Sequence, residues 1–270
     1  MSRPAGTLFL VILLCSCQPA GPTGGTVEPL ADHIPGRVER VNDGDSAVVS
    51  TEDSDVEVRL MGVNAPEQDE CHHQESRGHL AGLIEGELVG LEVISTDQFH
   101  RALAYVWLDD LLVNEDLVSG GFAIATTPPE DGDPQGESLL AAEEGAFLAK
   151  LGMWSATVCG PAATLPENTI DVGGSVFDPS GPDDEVLDQE RVSLTSTETV
   201  DVGGWTIRDE SSQHRCRLAP DTRIEEIGLI VTSADECWDP GDSPVWNNGG
   251  DMILVLDDSG TVLTRHRYAG

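Results

Sequence analysis

From Val38 onward the apolar residues of this chain come in short runs, and each run is cut off by a cluster of Gly, Asp, Asn or Pro. Val38, Val41, Ala47, Val48 and Val49 are followed by Val56, Val58, Leu60 and Gly62, with Asn42-Asp43-Gly44-Asp45 and Thr51-Glu52-Asp53-Ser54-Asp55 as the breaks. Alternation of period two buries one face of a strand, and such polar clusters reverse the chain, so a meander of three strands is predicted. With 39% apolar residues, 29 glycines and 16 prolines in 270 residues, neither a multi-span membrane protein nor a wholly disordered chain fits. One or two loop-rich domains do.

The period then changes. Leu80, Leu83 and Ile84 stand at helical spacing within Glu75 to Ile84, and Gly86 closes that stretch. Leu88 to Ile94 and Ala102 to Trp107 read as strands joined through Asp97-Gln98-Phe99-His100-Arg101. Asn114 is predicted to cap a short helix ended by Gly120-Gly121. A longer helix, Glu137 to Leu151, is predicted to bury Leu139, Leu140, Ala146 and Leu148. Strands followed by helices make an α+β domain on a small barrel.

Acidic residues outnumber basic ones by 49 to 14, a formal net charge of −35, and Lys150 is the sole lysine. The excess is spread along the chain, which describes a solvated surface and names no partner. It excludes nucleic-acid binding through a broad cationic face, so any chemistry on a polyanion must rest on a local site.

At the start of the chain, Arg3 precedes the apolar run Leu8 to Leu14, too short to span a bilayer and suited to the core of a signal peptide. Leu14-Cys15-Ser16-Cys17 resembles a bacterial lipobox, with Cys17 the candidate for lipidation, against an ordinary cleaved signal in which the cysteines are incidental. Residues 1–17 are thus expected to direct export, to the cell envelope as a lipoprotein or to the medium, and residues 18–35 to form a Pro/Gly/Thr-rich tether. Cys71, Cys159, Cys216 and Cys237 remain, an even set that in an exported chain argues for disulfides in one of three pairings. Pairing within domains gives Cys71–Cys159 and Cys216–Cys237. A zinc site is disfavoured by the lack of any Cys-x-x-Cys pair.

Six segments then fall in one order: Val41-Asn42-Asp43-Gly44-Asp45-Ser46, Val58-Arg59-Leu60, Val63-Asn64-Ala65-Pro66-Glu67, Phe99-His100-Arg101-Ala102-Leu103-Ala104-Tyr105-Val106, Val113-Asn114-Glu115-Asp116-Leu117-Val118 and Gly152-Met153-Trp154-Ser155. Asp-Gly-Asp alone is as common as a turn, but the six in register resemble the staphylococcal nuclease (thermonuclease) family over residues 36–161. The resemblance implies a five-stranded OB-type β-barrel with helices, and a calcium-dependent enzyme that hydrolyses phosphodiester bonds of DNA and RNA.

That reaction needs an activated water, a clamp for the charge gathering on phosphorus, and a hard cation on a phosphoryl oxygen. Through the resemblance, Glu67 takes the part of general base or water-orienting carboxylate, and Arg59 and Arg101 grip the phosphate with planar paired donors. Asp45 and Asn64, with the backbone carbonyl of Ala65 and support from Asp43, are the candidate calcium ligands. Each has a plainer reading alone: a solvated strand arginine, a carboxylate at a helix start, a pair of turn aspartates. Three departures from the family pattern stand out. Asn64 replaces a second metal-ligating aspartate and brings no charge, so metal affinity is expected to fall. His100 replaces a glycine in a turn that wants positive φ. Thr126-Thr127-Pro128-Pro129 stands where tyrosines help hold substrate. The competing expectation is a catalytically silent barrel acting as a surface binding module, which the retention of Arg59, Glu67 and Arg101 opposes.

After a linker at residues 162–167, residues 168–270 show runs at Ile170 to Phe177, Arg191 to Ser196, Val200 to Arg208, Ile227 to Thr232, Met252 to Asp257 and Thr261 to Tyr268, with no helical stretch. Phe177 to Asp184, Val200 to Asp209 and Trp246 to Asp257 resemble the lamin-tail domain, which implies an immunoglobulin-like β-sandwich. Trp205 and Trp246 are expected in its core, and its role is read as interaction with an unknown ligand.

Overall fold

The computed structural model describes residues 33–127, 134–155, 157–158, 170–181, 185–225, 228–239 and 244–269. The expected signal segment, the linker and Cys159 lie outside the described residues. Strands β1 (Ile34–Asp43), β2 (Ser46–Ser50) and β3 (Asp55–Leu60) form the predicted meander, with Val38 opposite Val49 and Val49 opposite Val56. The short pair partner β4 (Val63–Asn64) follows, then helix α1 (His73–Ile84), β5 (Leu88–Thr96) and β6 (Ala102–Leu108). Strand β5 pairs antiparallel with both β1 and β6, and β6 returns parallel to β3 through Val58–Ala102 and Arg59–Leu103. That last ladder closes a five-stranded barrel, so no edge among these strands is left to template association. Val38, Val41, Val49, Val58, Leu91 and Val106 fill it, the inward half of each alternation.

Strand β7 (Leu111–Leu112) turns into helix α2 (Val113–Ser119), and β8 (Ile124–Ala125) pairs with β4 ahead of helix α3 (Pro134–Leu148). In α1, Ser76, Leu80 and Ile84 form one buried stripe at spacing four. Asn114 does not cap α2: Leu112 takes that place, and the buried Asn114 side chain accepts from the Val106 N–H at 2.9 Å and donates to the Met61 carbonyl at 2.8 Å. Its amide is spent tying the helix to the barrel. In α3, Leu139 and Ala146 are buried as expected, whereas Leu148 is 70% exposed, because at about 100° per residue it falls on the face opposite Leu139 and Ala146.

The rest of the described chain is mostly strands: β9 (Ile170–Asp171), β10 (Arg191–Ser196), β11 (Val200–Asp201), β12 (Thr206–Arg208), β13 (Arg215–Arg217), β14 (Arg223–Ile224), β15 (Leu229–Thr232), β16 (Trp238–Asp239), β17 (Gly250–Leu256) and β18 (Val262–Ala269). They assemble as a three-stranded sheet, β15-β10-β9, a five-stranded sheet, β16-β13-β12-β17-β18, and the pair β11–β14. Trp205 and Trp246 are buried in the core between them with Ile207, Leu194 and Val231. The expected Cys216–Cys237 disulfide is formed. It closes a loop of about twenty residues, which stabilises by about 3 kcal/mol through the entropy of the unfolded chain. Cys71 is also disulfide-bonded.

All seven residues of β17 are buried. Ile253 and Val255 face the core of the C-terminal sheets, and Met252, Leu254 and Leu256 face Ile124, Ala146, Met153 and Trp154 of the barrel unit. A strand that is apolar at consecutive positions is one with no solvent face. Ion pairs reinforce this seam. Arg265 pairs with Glu143, and with Glu144 at 2.6 Å; Arg267 pairs with Glu143 at 3.0 Å and Glu210 at 2.7 Å. Arg265 also lies over the Phe147 ring at 4.0 Å.

Candidate active site

The turn between β1 and β2 is built by its own side chains. Asp43 Oδ1 accepts from the Asp45 N–H at 3.2 Å and the Ser46 hydroxyl at 2.7 Å. A Cβ on Gly44 would meet Ser76 Oγ at 2.1 Å, so only glycine lets α1 approach. The turn thereby aims Asp45 inward. Asp45 Oδ2 accepts from the Ala65 N–H at 2.7 Å and meets Arg59 NH1 at 2.6 Å. Arg59 arrives there because the β2–β3 register sets it opposite Ser46. Its NH2 donates to Asn64 Oδ1 at 2.8 Å.

Asn42, Asp43, Asp45, Ala65, Pro66, Glu67, Gln68 and His73 line one polar cleft of about 210 Å³. Burial pushes the Asp45 carboxyl up to about 7 against the pull of Arg59. Burial acts on Asp43 too, but hydrogen bonds from Asp45 and Ser46 and the charge of Arg59 outweigh it and hold that carboxyl below its ordinary range. Glu67 is raised, by burial first and then by the charge of Glu70, with Arg208 and Arg215 pulling the other way. A carboxyl moved toward neutral pH is suited to proton transfer.

The structure thus brings Asp43, Asp45, Ala65 and Glu67 to one cleft, with Arg59 and Asn64 directly behind Asp45. Arg101 does not line the cleft: its Nε meets Asp97 Oδ2 at 2.8 Å, and its guanidinium lies 5.6 Å from the Phe99 ring centre. His100 does adopt positive φ, 66°. The cleft offers hard oxygen donors, which suit calcium. Among the described residues, no group of three or more His, Cys, Asp or Glu side chains converges as a finished metal cage.

Sequence reasoning missed the residues that hold the loop from Asn64 to Cys71. His73 Nδ1 lies 2.8 Å from the Pro66 carbonyl. Glu70 is buried, and its Oε2 accepts from the Glu67 N–H at 3.1 Å. Arg208 and Arg215, from β12 and β13, pair with Glu70 and Asp69. His73 has a local signal, two residues past Cys71; the arginines have none, because a strand arginine in one sequence reads as solvated.

The family pattern described as staphylococcal nuclease homologue matches residues 57–156. The chain is 30% identical over 137 residues to protein ParB of Escherichia coli, covering 47% of this chain and 76% of that protein. It is 30% identical over 120 residues to an uncharacterized endonuclease of Haemophilus influenzae, covering 44% of this chain and 65% of the relative. Thermonuclease of Staphylococcus intermedius is 33% identical over 103 residues, 35% of this chain and 61% of that one. The match to these last two spans less than two thirds of their length.

Proposed function

This chain belongs to the staphylococcal nuclease homologue family, and on that footing we propose that it is an exported, calcium-dependent nuclease that hydrolyses phosphodiester bonds of DNA, RNA or both. The observation that carries the reading is the shared cleft: Glu67 and the Asp43/Asp45 pair line it, and Arg59 pairs with Asp45 from outside that lining. Glu67 orients and deprotonates the attacking water. Arg59 donates two N–H groups to the phosphoryl oxygens, an interaction that strengthens as charge gathers there. Arg101 adds a second guanidinium when a phosphate displaces the carboxylate of Asp97.

Calcium would be held by Asp45 and Asn64 with the Ala65 carbonyl, Asp43 supporting; when bound it polarises a phosphoryl oxygen. Asn64 supplies oxygen without charge, so the hold on calcium is weaker than with two carboxylates. Residues 168–270 are read as an immunoglobulin-like, lamin-tail domain with a ligand of its own, and Cys17 as a lipid anchor to the cell envelope.

Hydrolysis of single-stranded and plasmid DNA by the full chain, with calcium and with chelator, tests the reading. Activity is expected with calcium only, and Glu67→Gln should lower kcat by about 10²–10⁴-fold. A wild-type chain that folds and leaves both substrates intact would instead support a silent binding module, which the turning of Arg101 toward Asp97 favours.

A further inference from the structure

The loop that carries Asn64 and Glu67 is held from the far end of the chain. Arg208, 0% exposed, sets Nε 2.7 Å from Glu70 Oε1, an ion-pair contact, and donates from NH2 to Oε2 at 3.1 Å. The same Oε2 accepts the Glu67 N–H, and the Glu70 N–H returns to the Glu67 carbonyl at 2.9 Å. One carboxylate therefore stands between Arg208 and the backbone of Glu67. Arg215 grips Asp69 through two hydrogen bonds of 3.1 Å, and the Cys71 N–H donates to the Gly260 carbonyl at 3.0 Å.

Asn64 is held likewise. Its oxygen takes the Arg59 hydrogen bond, and its nitrogen donates to the Glu210 carbonyl at 3.0 Å and the Ser212 hydroxyl at 2.7 Å. An aspartate there would have no N–H to give and would set an oxygen against the Glu210 carbonyl. The asparagine that looks like a loss for metal binding is what the C-terminal acceptors require. Thr127, in the segment where the family pattern has tyrosines, likewise donates its N–H and hydroxyl to Glu210, at 2.6 and 3.0 Å.

We infer that the C-terminal unit is a built-in part of the nuclease site: Arg208, through Glu70, is a positioning residue for Glu67, and Ser212, through Asn64, is one for Arg59. This rests on the nuclease reading above. Arg208 holds Glu70 through one hydrogen bond from NH2 and the charge at Nε, two separate guanidinium nitrogens on the two carboxylate oxygens, an arrangement that the single ammonium of a lysine does not reproduce. Neither Arg208 nor Ser212 touches the reacting atoms; each fixes a group that does.

The test compares the full-length wild type with Arg208→Lys, Ser212→Gly and Arg265→Lys on single-stranded DNA with calcium. Rates are expressed per folded molecule, with melting followed by circular dichroism. Glycine at 212 keeps the positive φ of 61° while removing the hydroxyl. Arg265→Lys weakens the same seam at Glu143 and Glu144, away from the loop. Arg208→Lys should lower kcat by about 10- to 100-fold with KM within about twofold, the size of effect that a displacement near 1 Å produces. Ser212→Gly should lower kcat/KM several-fold, and Arg265→Lys should lower the melting temperature with kcat unchanged. Wild-type kcat in Arg208→Lys together with wild-type kcat/KM in Ser212→Gly overturns the inference while leaving the nuclease reading intact. If Arg208→Lys fails to fold, Ser212→Gly decides. An inert wild type overturns the nuclease reading and this inference with it.

Discussion

The guanidinium of Arg59 and the carboxylate of Asp45 meet at 2.6 Å, although one comes from strand β3 and the other from the turn between β1 and β2. The β2–β3 register makes the encounter obligatory, and the pairing leaves NH2 of Arg59 for Asn64. Arg59→Ala removes the proposed phosphate donor and leaves Asp45 buried without its cation. Steady-state hydrolysis should show kcat/KM lower by about 10²–10³-fold, the cost of losing one transition-state donor. Arg59→Lys should recover only part of it, because the three N–H donors of a compact ammonium lack the planar fork that serves Asp45, Asn64 and two phosphoryl oxygens together.

Strand β17 serves two cores at once, so the barrel unit and the C-terminal sheets should unfold as one. Leu254 is fully buried among Ile124, Ala146, Met153 and Trp154. Leu254→Ala is expected to cost about 2–5 kcal/mol in urea unfolding. The five tryptophans are divided between the units, so fluorescence and far-UV circular dichroism should give one coincident transition in wild type. Two separated transitions in the wild-type chain would show that the seam contributes little.

The barrel was legible in the sequence because alternation in β3 and the turn chemistry marked Val58 and the breaks, whereas β2, buried at four consecutive positions including Val49, was legible only as a short apolar run. The cleft was legible only as an ordered set of motifs: no property of Glu67 or Asp45 alone sets it apart from a surface carboxylate. Asn114 misled because a polar residue at a helix start serves equally as a cap or as a tie to the Val106 and Met61 backbones, and only the fold decides. Strand β13, Arg-Cys-Arg, shows no apolar alternation; its place is fixed by ladders to β12 and β16. The Arg208–Glu70 pair spans 138 residues, and such a contact leaves no periodic trace.

His72 makes stability sensitive to acid. His72 is 8% exposed, its ring is stacked on Phe122 at 5.3 Å, and neither ring nitrogen has a hydrogen-bond partner among the described residues. Burial lowers its pKa, with Glu75 opposing. The folded state therefore holds the neutral ring, and its stabilisation is present above the unfolded pKa of about 6.5 and lost as pH falls below it. Asp251, pushed up to about 7 by burial and by Glu210 and Asp209, acts in the opposite sense, favouring the folded state as pH drops from 7 toward 4. The His72 effect is thus best read as a difference. Between pH 7.5 and 5, wild type should lose more urea stability than His72→Asn, whose asparagine tolerates the left-handed φ of 73°. Equal losses would place the acid sensitivity elsewhere.

Gly260 tests how closely the C-terminal unit presses on the loop that carries Glu67. Its φ is +78°, and a Cβ there would fall 2.5 Å from the Asp69 carbonyl oxygen and 2.6 Å from Glu70 Cα, both backbone atoms with no flexible side chain to yield. Gly260→Ala must push the 69–71 backbone away or twist its own turn, at a cost of about 1–3 kcal/mol. Gly249→Ala is the matched control: none of the described residues lies within 4 Å of the added Cβ, and stability should change by less than about 1 kcal/mol. Denaturation midpoints of the two variants should therefore differ clearly. Because the displaced residues include Glu70, which holds the Glu67 backbone, Gly260→Ala should also lose hydrolysis per folded molecule, while Gly249→Ala keeps it.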